Sequence, residues 1–333
     1  MNLKQARKLY QKTSPLPLPT KFSQSKITTL QRCPRKYYEM YIQMLAPLGK
    51  AAPLEAGSFV HRFLSSRYQE ESMDTRKGNK ITGLAEFIIN TPDDVKGRKQ
   101  QDHIEVPKYL AAPIKAALQD LDIESISGDE HRNLKNLLRI LVDYDREYPL
   151  DREDFKIVAS EVEFAREFRE DIVLHGWFDL VIEWARGLWI MDHKTTRAVG
   201  DGSFLRIGMR PNFQVSTFIW GARESFETCK GLRFNWIQIS SANRNYLRDC
   251  TTRTSKEMKS YEITLENTIK WVWSMYADMK HPLDPDPWTQ HFHECTSYGE
   301  CIFRKICNSS KEELVRSHDF VEDERRLADG QQG

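Results

Sequence analysis

After Leu150 the hydrophobic pattern of this chain changes period, and that change constrains the fold more than any other feature of the sequence. Between residues 113 and 148, Leu134, Leu137, Leu138, Leu141 and Tyr144 recur at helical spacing and make one apolar face. Beyond 150 the period falls to two, and residues 156–164, 173–183 and 188–194 predict three strands in quick succession. Helical spacing returns at 212–226 and 265–279, with a further strand predicted at 232–240. Helices, a strand meander, then helix and strand again argue for one α/β domain. A chain of 333 residues, 40% of them hydrophobic, can bury such a core, which excludes disordered, fibrous and small disulfide-stapled classes.

Charge is balanced overall but not along the chain. Lys plus Arg number 49 and Asp plus Glu 48, so there is no uniformly basic coat, yet residues 1–50 hold ten basic side chains against the single acid Glu39. Pro15, Pro17 and Pro19 oppose helix, which predicts a basic extension over 1–21 and a folded domain over 22–307. Residues 26–45 predict a helix broken at Pro34, and a second helix follows Gly57 with Phe59, Val60, Phe63 and Leu64. Residues 71–108 read as loops around a short apolar element at 84–89, and 71–150 as a whole reads as a helical insertion. Residues 308–333 carry seven acids against four bases and predict an acidic, flexible tail. No apolar run approaches the roughly 18 residues of a membrane span, and no signal-peptide pattern opens the chain, so a cytoplasmic protein without a membrane partner is expected.

If residues 184–187 join the second and third strands, Glu183 faces Leu188 and Asp179 faces Asp192. Lys194 then shares the face of Asp192, while Met191 and His193 point the other way. Opposed carboxylates repel unless a hard divalent cation lies between them, and phosphate-directed Mg²⁺ or Mn²⁺ suits that arrangement. Lys194 can orient the attacking water and counter charge growing on the phosphate. The plainer reading makes Asp179 and Asp192 polar strand-end residues beside a turn, and a slip of one residue would turn one of them away.

The runs Gly176-Trp177-Phe178-Asp179-Leu180-Val181 and Trp189-Ile190-Met191-Asp192-His193-Lys194-Thr195 resemble the G-x-x-D and (D/E)-x-K-T core of the PD-(D/E)XK nuclease superfamily. The branch they resemble is RecB-like. Gly57-Ser58-Phe59-Val60-His61 is similar to that branch's helix with a metal-ligand histidine, and Gln214 matches the glutamine of its Q-x-x-x-Y motif, where Phe218 replaces the tyrosine. The resemblance implies a restriction-endonuclease-like core, a central mixed sheet flanked by helices. It implies phosphodiester hydrolysis with Asp179, Asp192, Lys194 and Gln214 as catalytic residues. Asp179, Asp192, His61 and the main-chain carbonyl of His193 would hold the metal. Glu161, in the strand leading to the core, is a weaker candidate with a surface-strand alternative.

Cys295, Cys301 and Cys307 stand at equal intervals and lack a fourth ligand, which Cys33, followed by Pro34, can supply across a long loop. Iron-sulfur members of the RecB-like branch place one cysteine ahead of the core and three after it, so the resemblance implies a [4Fe-4S] cluster stapling the N- and C-terminal parts. The C-x5-C-x5-C spacing here is wider at its first gap than the family's C-x2-C-x5-C. Zn²⁺ suits four thiolates too, with His291 and His293 nearby, and the plainest alternative is unrelated core cysteines. Cys229 and Cys250 read as structural.

Arg32, Arg35 and Lys36 alternate with Tyr37, Tyr38 and Tyr41, cations beside rings on which bases can stack, or else half-buried helix residues. Arg197, Arg206 and Arg210 follow the lysine strand and can line a channel for a nucleic-acid strand. No G-x-x-x-x-G-K-[ST] motif occurs, so any helicase or recombinase partner would be a separate chain. The expectation is a stand-alone, metal-dependent DNA exonuclease acting on single-stranded or end-exposed DNA in recombination, repair or phage DNA processing. Its rivals are a non-catalytic DNA-binding scaffold that keeps the fold and cluster, and a zinc-stapled RNA-binding protein.

Overall fold

The computed structural model of the chain describes residues 1–49, 51–69, 84–90, 101–149, 154–200, 202–297 and 300–323. Helix starts earlier than the prolines suggested. Asn2 caps α1 (Leu3–Tyr10), accepting from the Gln5 N–H, while the Gln5 side chain accepts from the Asn2 N–H. Leu3, Ala6 and Leu18 are buried in the main core, and the Trp273 indole N–H donates to the Pro19 carbonyl at 2.8 Å. Residues 1–21 are therefore part of the domain and not an extension: the prolines fix an extended strap whose leucines find an apolar face.

Strand β1 (Lys21–Ser23) leads into α2 (Gln24–Arg32), capped by the Ser23 side chain. The backbone is extended at Cys33, and α3 (Pro34–Tyr37) restarts with proline at its first position, where a missing N–H costs nothing. A π-helical turn at Tyr38–Ile42 and β2 (Leu45–Pro47) follow. Helix α4 (Ala52–Tyr68) buries Phe59, Val60, Phe63 and Leu64. The inserted stretch is mixed, not purely helical, since β3 (Leu84–Asn90) and β4 (Gln101–Pro107) pair antiparallel before α5 (Ala111–Leu118), α6 (Ile123–Ser127) and α7 (Leu134–Glu147). Residues 70–83 and 91–100 of that insertion lie outside the described residues. Buried Arg67 reaches Asp145 Oδ1 through Nε at 3.1 Å and Nη2 at 3.0 Å, tying α4 to α7.

The three expected strands are β5 (Lys156–Arg169), β6 (Ile172–Trp184) and β7 (Gly187–Thr196). Each hairpin closes on two residues, Glu170-Asp171 and Ala185-Arg186, all with positive φ, the backbone that suits the right-handed twist of flanking strands. The four-residue loop expected at 184–187 is thus tighter, but its register is the expected one, with Glu183 paired to Leu188 and Leu180 to Met191. After α8 (Ser203–Ile207) and α9 (Phe213–Ser225), β8 (Cys229–Gln238) pairs parallel to β7, and β9 (Tyr246–Thr251) antiparallel to β8. β1 adds parallel to β6, so the sheet is mixed.

One face of the sheet packs on α1, α2, α9 and the long α10 (Ser255–Asp278), with Leu174, Phe178, Val181 and Ile190 in that core. The other face, with Leu180, Ile182 and Met191, packs on α4, α5 and α7. The Phe164 ring stacks on Phe178 at 4.6 Å, and a Cβ at Gly176 of β6 or Gly221 of α9 would stand 2.8 Å or 2.6 Å from it. These two glycines let α9 sit close on the strand that carries Asp179.

At the C-terminus, α11 (Arg304–Asn308) is followed by α12 (Glu312–Asp319) and β10 (Phe320–Glu322), which pairs antiparallel with β2. Phe320 is buried with Leu45, Phe303 and Ile306. Arg316 donates to both Glu39 oxygens at 3.0 and 2.8 Å, and Arg35 donates to Glu39 at 2.9 Å and Glu312 at 2.6 Å. Residues 312–322 are thus folded, correcting the expected flexible tail; 324–333 lie outside the described residues. Among the described residues no helix is long and apolar enough to cross a membrane.

Candidate active site

Regular β6–β7 pairing ends at Leu180 and Met191, and the next register position sets Asp179 against Asp192. Instead of another ladder bond, Asp179 Oδ2 accepts the His193 backbone N–H at 2.7 Å. Alternation along β6 shifts here: Leu174 and Phe178 face the first core, whereas Leu180 and Ile182 face the second. Across the ladder, Glu161 of β5 stands between the pairs Ser160–Leu180 and Val162–Phe178 with φ +50°. Left-handed backbone in a strand re-aims its neighbours, and here it brings a third acid beside Asp179.

Asp192 is nearly fully buried, and its Oδ2 lies 2.6 Å from Lys194 Nζ, which keeps partial contact with solvent. Burial holds the Asp192 carboxyl above the ordinary carboxylate range; Lys194 pulls it down and Asp179 pushes it further up. Glu161 is raised too, first by burial and then by the charge of Asp179, with Ser65 and His61 opposing. His61, on α4, places Nδ1 3.6 Å from Asp179 Oδ2. One turn earlier, at Gly57, α4 runs against β7, where a Cβ would meet Thr195 Oγ1 at an ordinary contact distance of 3.4 Å.

His193 turns its side chain to the opposite side of β7, into a buried polar group that sequence reasoning missed. Asn235, its paired residue on β8, has Nδ2 2.8 Å from His193 Nδ1 and donates to Tyr144 Oη at 2.9 Å. Arg248 Nε donates to Asn235 Oδ1 at 3.3 Å, which fixes the amide orientation, so His193 Nδ1 accepts and the ring proton sits on Nε2. Tyr68 of α4 stacks on His193 at 5.6 Å, and its hydroxyl lies 2.8 Å from that of Tyr144. The available signal was an asparagine inside the apolar run Leu232–Ile239, beside the strand that carries Asp192.

Gln214 lies in the first turn of α9, half-buried, and no hydrogen bond among the described residues joins it to Asp179, Asp192 or Lys194. Phe218 is core, edge-on to Phe164 at 6.2 Å and Phe178 at 5.6 Å, which accounts for the absence of a hydroxyl. Cys33, Cys295, Cys301 and Cys307 are free thiols near enough to act on one another electrostatically. Burial, then the charges of Cys301 and Cys33, raises Cys295, and burial pushes Cys307 up to about 12. Among the described residues, however, no three His, Cys, Asp or Glu side chains are gathered closely enough to hold a metal ion. At the hairpin, Lys194 and the His193 N–H are the partners of the two carboxylates. The donor chemistry still fits, with hard oxygens at the hairpin and soft thiols at the C-terminus.

The expected DNA grip at 32–38 is corrected. Arg35 is buried in ion pairs with Glu39 and Glu312, Tyr37 is buried against Trp288 at 5.6 Å, and Tyr38 is buried with its hydroxyl donating to the Leu283 carbonyl. Rings enclosed in a core cannot stack on bases. Arg32 is exposed, with its carbonyl 2.7 Å from His291 Nδ1, Lys36 is half-buried, and Arg197 is exposed.

A mixed sheet with two acids close together at the end of a hairpin and a lysine two residues beyond the second defines an α/β protein with a compact acid-and-lysine candidate site. The sequence profile of the PD-(D/E)XK nuclease superfamily matches residues 21–308, so the chain belongs to that superfamily, and membership supports a nuclease. No curated protein matches in sequence. Among solved structures, one from Eubacterium rectale, provisionally assigned as an exonuclease, is 12% identical over 75% of this chain and 81% of that one, with TM-score 0.43. Another, SSO0001, is 13% identical over 80% of this chain and 82% of that one, with TM-score 0.29.

Proposed function

We propose that the chain is a metal-dependent DNA nuclease that works from the ends of single-stranded or end-exposed DNA. The observation that carries this reading is the closeness of the Asp179 and Asp192 carboxylates at the open end of the hairpin, with Asp179 on the His193 N–H and Lys194 Nζ on Asp192. Asp179 and Asp192, with His61 and the His193 carbonyl, would hold Mg²⁺ or Mn²⁺, which supplies Lewis acidity and an activated water. Lys194, whose ammonium lies beside Asp192, would orient the water and offset charge on the phosphate. Gln214, half-buried at the start of α9, would orient the nucleophile or the phosphate. Cys33, Cys295, Cys301 and Cys307 would hold a [4Fe-4S] cluster that staples the two ends of the domain, with Zn²⁺ as the alternative occupant. The processes that fit are recombination, repair or phage DNA processing, beside a separately encoded helicase or recombinase.

With Mn²⁺, linear single strands labelled at either end are expected to shorten progressively while a closed circular single strand survives. Cutting of the circle at a similar rate would replace the exonuclease by an endonuclease. Protein purified without oxygen is expected to be brown, with absorption near about 400 nm and bound iron. Colourless protein holding one zinc would assign the four thiols to Zn²⁺.

A further inference from the structure

The sheet face that carries Asp192 and Lys194 continues sideways into aromatic surface. Paired residues of neighbouring strands share a face, so Lys194 sits beside Trp236 of β8, and Trp236 beside Leu247 of β9. Two strand spacings separate Lys194 from Leu247, about 10 Å. Gly202 packs on Leu247, where a Cβ would stand 2.5 Å from Cδ2, and α8 begins at the next residue. From α8, Phe204 is 82% exposed and Ile207 73% exposed, one helical turn apart on one side. Trp236 is partly buried, stacked on Phe234 at 4.9 Å and packed on the first core, with its indole nitrogen buried and without a hydrogen-bond partner among the described residues.

The cations around this row are not equivalent. Arg206 pairs with Asp249 and Arg210 with Glu257 at 3.3 Å, so acids offset both. Arg197 is exposed and forms no ion pair among the described residues, while its carbonyl is held by Gln238 Nε2 at 3.0 Å, which fixes the loop to the end of β8. An exposed ring, the uncovered part of a partly buried indole and an arginine without an ion pair among the described residues, beside the candidate site, match the chemistry of an unpaired nucleic-acid strand: π-faces for bases and a cation for the backbone. Duplex DNA, its bases already stacked on each other, offers the rings nothing.

We propose that Trp236 and Phe204 form a base-stacking track, with Arg197 on the phosphates, that holds single-stranded DNA on one side of the cleavage point. The proposal rests on the nuclease reading and deepens it, since it selects a single-stranded substrate without sequence preference.

The test is fluorescence anisotropy of the full chain, without divalent cation so that the strand stays intact. The probes are a labelled oligothymidylate roughly a dozen nucleotides long and an abasic strand of equal length. Phe204→Ala is expected to weaken oligothymidylate binding about tenfold and leave abasic-strand binding unchanged, with Phe204→Tyr restoring the wild-type value. Arg197→Ala is expected to weaken both and to lower the salt slope by about one. Equal weakening of both probes by Phe204→Ala, or none, overturns the track. Because binding is read without hydrolysis, the two failures separate. A wild type that shows this base-dependent binding but never cuts keeps the track and loses the nuclease, and cutting beside a silent Phe204→Ala does the reverse.

Discussion

At the residue scale the candidate site gathers carboxylates that repel each other. Asp192 is buried with its carboxyl raised above the usual range, and Lys194 is the group that compensates it. Lys194→Met is expected to lower kcat about 10²–10⁴-fold with little change in KM; an unchanged kcat would remove the lysine from the chemistry. Lys194→Arg is expected not to rescue, because a planar guanidinium does not replace a compact ammonium. The hairpin register that brings Asp179, Asp192 and Lys194 near one another was legible from the period-two pattern, but the shift of alternation at Asp179, which turns its carboxylate onto the His193 N–H, was not. Asn235 was not: its role depends on Tyr144 and Arg248, which come near only when the insertion and β9 fold over β8. Asn235→Leu leaves those groups without their amide partner and is expected to cost about 1–3 kcal/mol of stability, measured by urea unfolding.

At the element scale, the hairpin of β6 and β7 and the helix α9 are held in place by one ring. Phe164 fills the space that Gly176 and Gly221 leave open, so Gly176→Ala and Gly221→Ala each force that ring to move. Each is expected to destabilise by about 1–3 kcal/mol, and the pair together by less than the sum, since both displace the same side chain. Wild-type stability in either variant would contradict this packing. The three strands and their register were legible, but the tightness of the turns was not, because Glu170-Asp171 and Ala185-Arg186 lack the Asn-Gly signal that usually marks positive φ at both positions. The break before Pro34 was visible in the sequence. Which rings of Tyr37, Tyr38 and Tyr41 would be buried was not, since Trp288, which stacks on Tyr37, arrives from far along the chain.

At the scale of the whole molecule, the two ends of the chain close on each other. Composition marked residues 308–333 as solvated because charge dominates there, yet Glu312 and Arg316 find the buried Glu39 and Arg35 across 277 positions. Long-range ion pairing of this kind leaves no periodic trace in a sequence. Arg316→Met is expected to lower stability by about 1–3 kcal/mol, read as a fall in Tm, because Glu39 loses two charge-assisted hydrogen bonds while staying buried. The same closure brings Cys33 toward Cys295, Cys301 and Cys307, so a cluster or metal there and the terminal strap would stabilise one another.

The most direct test of the central claim is hydrolysis of end-labelled linear DNA, single-stranded and duplex, by the wild type and Asp192→Ala with Mg²⁺ or Mn²⁺. The account predicts cleavage that requires the metal and disappears in Asp192→Ala, with the variant folded as judged by its Tm. Cleavage that persists in folded Asp192→Ala, or that needs no divalent cation, would contradict it.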